Sequence, residues 1–132
     1  MSTSPEKALI LIADDRPSSR ELLRTVLERA GYRVLEAEDG ERALAQARSG
    51  LPDLILLDLQ MPELDGFGVL AELRADPRFR DLPIVALTAS AMRGDREKIL
   101  EAGFTDYLAK PASPETLRET VARLLRSGAA PS

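Results

Sequence analysis

The chain alternates between short apolar runs and longer stretches in which apolar residues recur every three or four positions. The runs are ALILIA at 8–13, RVLEA at 33–37, LILL at 54–57, IVALT at 84–88 and DYLA at 106–109. Runs of this length, bounded by turn residues, predict buried strands. Between them, Leu23, Val26, Leu27 and Ala30 share one helical face, Ala43, Leu44 and Ala47 a second, and Val69, Leu70 and Leu73 a third. Ile99 and Ala102 form a weaker fourth face, and Leu117, Val121, Leu124 and Leu125 a clear last one. Gly31, Gly50 and Gly103 follow the first, second and fourth helical segments, where a C-terminal cap takes a positive φ. Asp39 is placed to cap the second helix, and Ser113-Pro114 reads as N-cap and first-turn proline of the last.

Five strands alternating with five helices predict an α/β fold, a parallel sheet covered on both faces. No repeat or linker interrupts residues 7–126, which are expected to form one domain, with flexible tails at 1–6 and 127–132. A length of 132 residues suits that reading and buries a sizeable core. The formal net charge of −4 argues against direct nucleic-acid binding. The chain has no cysteine, hence no disulfide framework or thiolate metal site, and no histidine, hence no histidine-based acid–base catalysis of its own. No signal-peptide pattern and no long apolar run is present, so a cytoplasmic protein without membrane association is expected.

The acids change the picture. Asp14 and Asp15 follow the first strand, and Asp58 follows the third. In an open parallel sheet, sites form outside the carboxyl ends of the strands where strand order reverses. The hydrophobic pattern leaves that order open; under the order 2-1-3-4-5 all three acids meet in one cleft. Singly, an Asp-Asp pair is turn punctuation and Asp58 a cap for the next turn. Together they repel one another, and a hard cation relieves that repulsion. Mg²⁺ prefers oxygen ligands and pairs with phosphate, so the cluster predicts Mg²⁺ and phosphoryl chemistry. Thr88 ends the fourth strand and Lys110-Pro111 follows the fifth. In isolation Thr88 is a β-branched strand residue and Lys110 an exposed loop charge. Around one point with the acids, they describe an arrangement that stabilises a transferring phosphoryl group. With no glycine-rich phosphate loop in the sequence, a carboxylate is the simplest acceptor.

In the order ILIADD, DLILLDLQMPELDG, IVALTAS and DYLAKP, the chain resembles the receiver domains of two-component response regulators from about residue 7 to 126. The resemblance implies a flavodoxin-like fold, five parallel strands in the order 2-1-3-4-5. It implies Asp58 as phosphoacceptor, Asp15 and Asp58 as carboxylate ligands of Mg²⁺, Asp14 acting through a metal-bound water, and Gln60 contributing its backbone carbonyl. Thr88 and Lys110 would bind phosphoryl oxygens, Ala89 would leave room for the group, and Tyr107 would be the switch aromatic. Pro111 is expected to follow a cis peptide bond, and Gln60 and Ser90 occupy positions that tune hydrolysis of the acyl phosphate. The implied donor is a histidine kinase or histidine phosphotransfer protein, and the implied readout surface is helix 4, strand 5 and helix 5. Arg93, Arg96 and Lys98 read equally as a solvated face or as partner contacts. Met1 and the short tails favour a single-domain regulator over a receiver cut from a hybrid kinase or longer regulator. A Mg²⁺-dependent phosphatase with an aspartate nucleophile fits less well, because it wants Asp-x-Asp after the first strand, and a degenerate scaffold receiver would lack the complete site.

Overall fold

A computed structural model describes residues 8–61, 64–89 and 93–129. In chain order the elements are β1 (Leu9–Ala13), α1 (Pro17–Arg29), β2 (Arg33–Ala37), α2 (Gly40–Gly50), β3 (Leu54–Asp58), α3 (Gly66–Arg74), a short 3-10 turn (Pro77–Phe79), β4 (Ile84–Thr88), α4 (Arg93–Ala102), β5 (Asp106–Ala109) and α5 (Pro114–Ala129). The five strands form one parallel sheet in the order β2-β1-β3-β4-β5, the flavodoxin-like arrangement.

Side-chain alternation along the strands divides the core in two. Leu11, Ala13, Ile55, Leu57, Ile84 and Ala86 face α2, α3 and α4, packing on Ala43, Ala47, Val69, Leu73 and Ile99. Ile10, Ile12, Leu54, Leu56, Val85 and Leu87 face the other way, onto Leu23 and Leu27 of α1 and Leu117, Val121 and Leu124 of α5. Leu54 to Leu57 are fully buried, and each such side chain stabilises the fold by about 1.5–3 kcal/mol. That burial carries Asp58, the last residue of β3, to a fixed place at the sheet edge.

Several expectations need correction. The left-handed residue after α2 is Leu51, with φ of 50°, and not Gly50. Gly50 ends the helix itself, and a Cβ there would meet Leu35 Cδ1 at 2.6 Å, the movable end of a side chain. Gly31 and Gly103 do take positive φ. Ala102 is exposed, leaving Ile99 as the buried anchor of α4. Strand β1 starts at Leu9 rather than residue 8, and β3 includes Asp58, which pairs in register with Leu87. Helix α5 runs on to Ala129, three residues past the expected domain end at 126. The tail 1–6, the loop residues Pro62 and Glu63, and Ser90 lie outside the described residues.

Helix ends follow side-chain chemistry. Arg42 N donates to Asp39 Oδ1 at α2, Gly68 N to Asp65 Oδ1 at α3, and Thr116 N to Ser113 Oγ at α5. Arg74, at the end of α3, donates to the carbonyls of Phe79, Arg80, Leu82 and Gly103 and to Thr105 Oγ1. One guanidinium thereby ties α3 to the loops entering β4 and β5.

Gly66 sits where α3 passes over the end of β3. A Cβ there would meet the Asp58 carbonyl oxygen at 2.5 Å and Leu59 Cα at 2.8 Å, both backbone atoms that cannot move aside. Gly94 in α4 has open space instead. Gly66→Ala should therefore destabilise by roughly 1–3 kcal/mol through overpacking. Gly94→Ala should be neutral or stabilise by up to about 1 kcal/mol through lower unfolded-chain entropy. Thermal or urea unfolding of the two variants reads the opposite signs.

Candidate phosphoacceptor and metal site

Strands β1 and β3 are neighbours, and their carboxyl ends deliver Asp14 and Asp58 side by side. Asp14 N continues the ladder by donating to Ala37 O, which fixes the turn that follows β1. Leu59 N donates to Leu87 O, and Gly66 N to Leu59 O, which hold the exit of β3. Lys110 N donates to Thr88 O at 2.8 Å, bringing the end of β5 against the end of β4. The Lys110–Pro111 peptide bond is cis.

One ligand oxygen from each of Asp14, Asp15 and Asp58 lies within 4.8 Å of the others. Asp14 is fully buried, Asp58 nearly so, and Asp15 is exposed. Lys110 Nζ reaches Asp14 Oδ2 at 3.0 Å and Asp58 Oδ2 at 3.1 Å, one ammonium shared by two carboxylates. Asp14 also accepts from Ser19 Oγ on Oδ2 and from Arg16 N on Oδ1. Asp58 Oδ1 accepts from Gln60 N at 3.0 Å.

The two buried acids are unequal. Burial pushes the Asp14 carboxyl up, but the hydrogen bonds from Ser19, Arg16 N–H and Lys110 outweigh it and hold its pKa below the usual aspartate value. Burial also pushes Asp58 up. Gln60 N–H and Lys110 oppose the rise without cancelling it, and the Asp14 charge adds to it. Burial lowers the Lys110 ammonium, and its bonds to both carboxylates more than restore it. Asp58 thus carries the less well-stabilised charge and gains most from a further cation.

The cleft over these groups, about 880 Å³, is lined by Asp15, Asp58, Gln60, Thr88, Ala89 and Lys110 among others. Asp15, Asp58, Gln60, Thr88, Ala89 and Lys110 are therefore brought to one opening, with Asp14 buried beneath it. Tyr107 lies apart, half-buried on β5, with its hydroxyl accepting from Arg96 Nη1 at 3.3 Å. The donor set is oxygen throughout and carries three acids close together, which fits a hard divalent cation. Asp14 is fully buried beneath the cleft, whereas Asp15 and Asp58 line it, so Asp15 and Asp58 are the better placed direct ligands. Ser19, Arg20 and the Arg16 amide go unnoticed in the sequence. RPSSRE reads as an ordinary first helical turn, and nothing in its spacing reveals a bond back to Asp14.

Removing the shared ammonium tests this electrostatic account. Lys110→Met leaves two neighbouring carboxylates buried without their cation. It should cost roughly 1–3 kcal/mol in metal-free buffer at neutral pH, below the range for fully buried pairs because Lys110 is 22% exposed. Adding Asp58→Asn to Lys110→Met should recover most of that loss in a double-mutant unfolding cycle.

The sequence pattern of the response regulator receiver domain matches residues 10–122. The polar-differentiation response regulator DivK of Brucella anthropi is 38% identical over 112 residues, covering 85% of this chain and 91% of DivK. "Probable transcriptional regulator ycf27" of Guillardia theta is 44% identical over 91% of this chain and 46% of its own length. The chain thus spans about half the length of the ycf27 relatives it matches. Among solved structures, the chemotaxis response regulator CheY4 of Vibrio cholerae superposes with a TM-score of 0.85 at 35% identity, over 89% of this chain and 98% of CheY4. The receiver domain of a sensor histidine kinase from Pseudomonas aeruginosa, solved with a magnesium ion coordinated in its active site cleft, has a TM-score of 0.84 at 39% identity, over 91% of this chain and 98% of that domain. With this sheet order, this acid cleft and these relatives, the chain belongs to the response regulator receiver domain family.

Proposed function

We propose that the protein accepts a phosphoryl group on Asp58 from a histidine kinase or histidine phosphotransfer protein, and that the modified form binds a different protein partner. The observation that carries this reading is the shared Lys110 ammonium between Asp14 and Asp58, in a cleft that Thr88 and Ala89 also line. The chain has no histidine, so the donor phosphohistidine is supplied by another protein. In the transfer, a carboxylate oxygen of Asp58 forms a bond to phosphorus as the P–N bond breaks, and the electron pair returns to the imidazole. The transferring group spreads its charge over the outer oxygens, so fixed positive charge there lowers the barrier. Lys110 Nζ, already beside Asp58 Oδ2, is such a charge, and the Thr88 hydroxyl donates to a second oxygen. Ala89 keeps the space beside Thr88 small-sided.

Mg²⁺, when bound, neutralises phosphoryl oxygen charge and orients the donor. Asp15, Asp58 and the Gln60 carbonyl would hold it, with Asp14 acting through a water. Asp58 phosphorylation brings roughly −1.5 to −2 charge, the figure for phosphorylated side chains in general, to a site poised on one ammonium. The structure then shifts between two populations, with Thr88 and Tyr107 repositioned and the surface of α4, β5 and α5 altered for its partner. For Tyr107 this requires exchange of its contact with Arg96. The receiver unit, whose last helix reaches Ala129, works in the cytoplasm, as a single-domain regulator or as the receiver of a longer regulator or hybrid kinase.

Incubation with Mg²⁺ and a small phosphodonor should add one phosphoryl group by intact mass. Asp58→Asn should remove that addition, and a modified Asp58→Asn protein would refute the assignment. Mg²⁺ should also raise the melting temperature, since only the folded chain assembles the site. At a hundredfold excess over Kd the gain is about 2.7 kcal/mol. Asp15→Asn should diminish that response, while an unchanged response would remove Asp15 from the metal site.

A further inference from the structure

Asp14 is held from two sides by consecutive residues of α1. Ser19 Oγ binds its carboxylate, and Arg20 Nη1 binds its backbone carbonyl at 2.8 Å. The second contact satisfies a carbonyl just past the end of strand β1, a group that would otherwise need water. Arg20 is itself fixed. Its Nε donates to Glu36 Oε1 at 3.1 Å, and the second Glu36 oxygen accepts from Arg24 Nη1 at 2.7 Å. Only 16% of the Arg20 side chain and 29% of Glu36 reach solvent, so this is an ordered pair and not a transient surface contact.

Glu36 stands on β2, the outer edge strand, and none of the metal-site oxygens is its own. It nevertheless decides where the Arg20 guanidinium points. With Glu36 in place, Arg20 faces the carbonyl side of the Asp14–Asp15 turn and its charge is spent on a carboxylate. With Glu36 neutralised, Arg20 loses the charged partner that fixes it against the Asp14 carbonyl. The turn then loses its brace, and the acids it carries are less well placed for a metal ion. That weakens metal binding.

We infer that Glu36, acting through Arg20, is a positioning residue for the Asp14–Asp15 turn and sets the protein's affinity for a divalent cation. This inference rests on the metal site of the proposed function. It leaves Asp58, Thr88 and Lys110 untouched, so the loss is one of affinity: enough cation restores phosphoacceptance.

The test is a Mg²⁺ titration of the full chain followed by amide NMR shifts, for wild type, Glu36→Gln, Arg20→Lys and Glu38→Gln. Glu38→Gln removes the same charge two residues further on, from a side chain paired with Arg42, and controls for simple loss of negative charge. Outer-shell partners of metal ligands typically change affinity 10–100-fold, and one step further out Glu36→Gln should raise the Mg²⁺ Kd about three- to tenfold. Arg20→Lys should do the same and serves alone if Glu36→Gln does not fold. Glu38→Gln should stay at the wild-type Kd. Initial rates with a small phosphodonor should fall for Glu36→Gln at limiting Mg²⁺ and return to the wild-type rate at saturation. Wild-type Kd in both Glu36→Gln and Arg20→Lys would overturn the inference while leaving the site intact. An equal loss in Glu38→Gln would overturn it as well, by making the effect one of net charge. A wild-type chain with no Mg²⁺-dependent shift would overturn the metal site itself, and the inference with it.

Discussion

The structure depends on one ammonium shared by two buried carboxylates. Asp14 and Asp58 are carried out of water by adjacent strands, and neither strand can retreat, because their apolar residues lie in both halves of the core. Two like charges in such a position repel strongly and lose hydration. Lys110 resolves this from the far side of β4, contacting both at about hydrogen-bond distance. The resolution is partial: Asp14 ends better satisfied than Asp58, whose pKa stays raised. The site is left short of positive charge and open to solvent on the Asp15 side, which fits the proposed binding of a cation and a phosphoryl group.

The remainder of the molecule serves that juxtaposition. The sheet order places β1 beside β3, and α2, α3 and α4 press on one face while α1 and α5 press on the other. Gly66 lets α3 start directly on the Asp58 carbonyl, so the loop after Asp58 is anchored where it turns. Arg74 secures the opposite end of the same helix to the loops before β4 and β5, the two strands that supply Thr88 and Lys110. Around Asp14 the bracing runs outward to the sheet edge, through Arg20 to Glu36.

Much of this was legible in the sequence, for a physical reason. The strand at 84–88 is buried throughout and reads as a near-unbroken apolar run, and the partly exposed edge strands at 33–37 and 106–109 were also readable to the residue, set off by the turn residues around them. The acids stood out because a carboxylate has no packing reason to close such a run. Less was readable where local preference yields to packing. Gly50 carries the expected turn residue type, yet it ends the helix and the positive φ falls on Leu51. Ala102 matched a helical period and still faces solvent. Ser19, Arg20, Glu36 and Arg74 were invisible as a class. Each acts through a bond to a distant group, often a backbone carbonyl, and such bonds leave no period in the sequence.

The central claim is that the acid at the end of β3, and no other, is the acceptor. Its most direct test is to phosphorylate the protein with a small phosphodonor and Mg²⁺, trap the acyl phosphate by borohydride reduction, and locate the resulting homoserine by peptide mass spectrometry. The account predicts homoserine at position 58 alone. Homoserine at position 14 or 15, or a stable phosphate ester on Ser19 or Thr88, would contradict it.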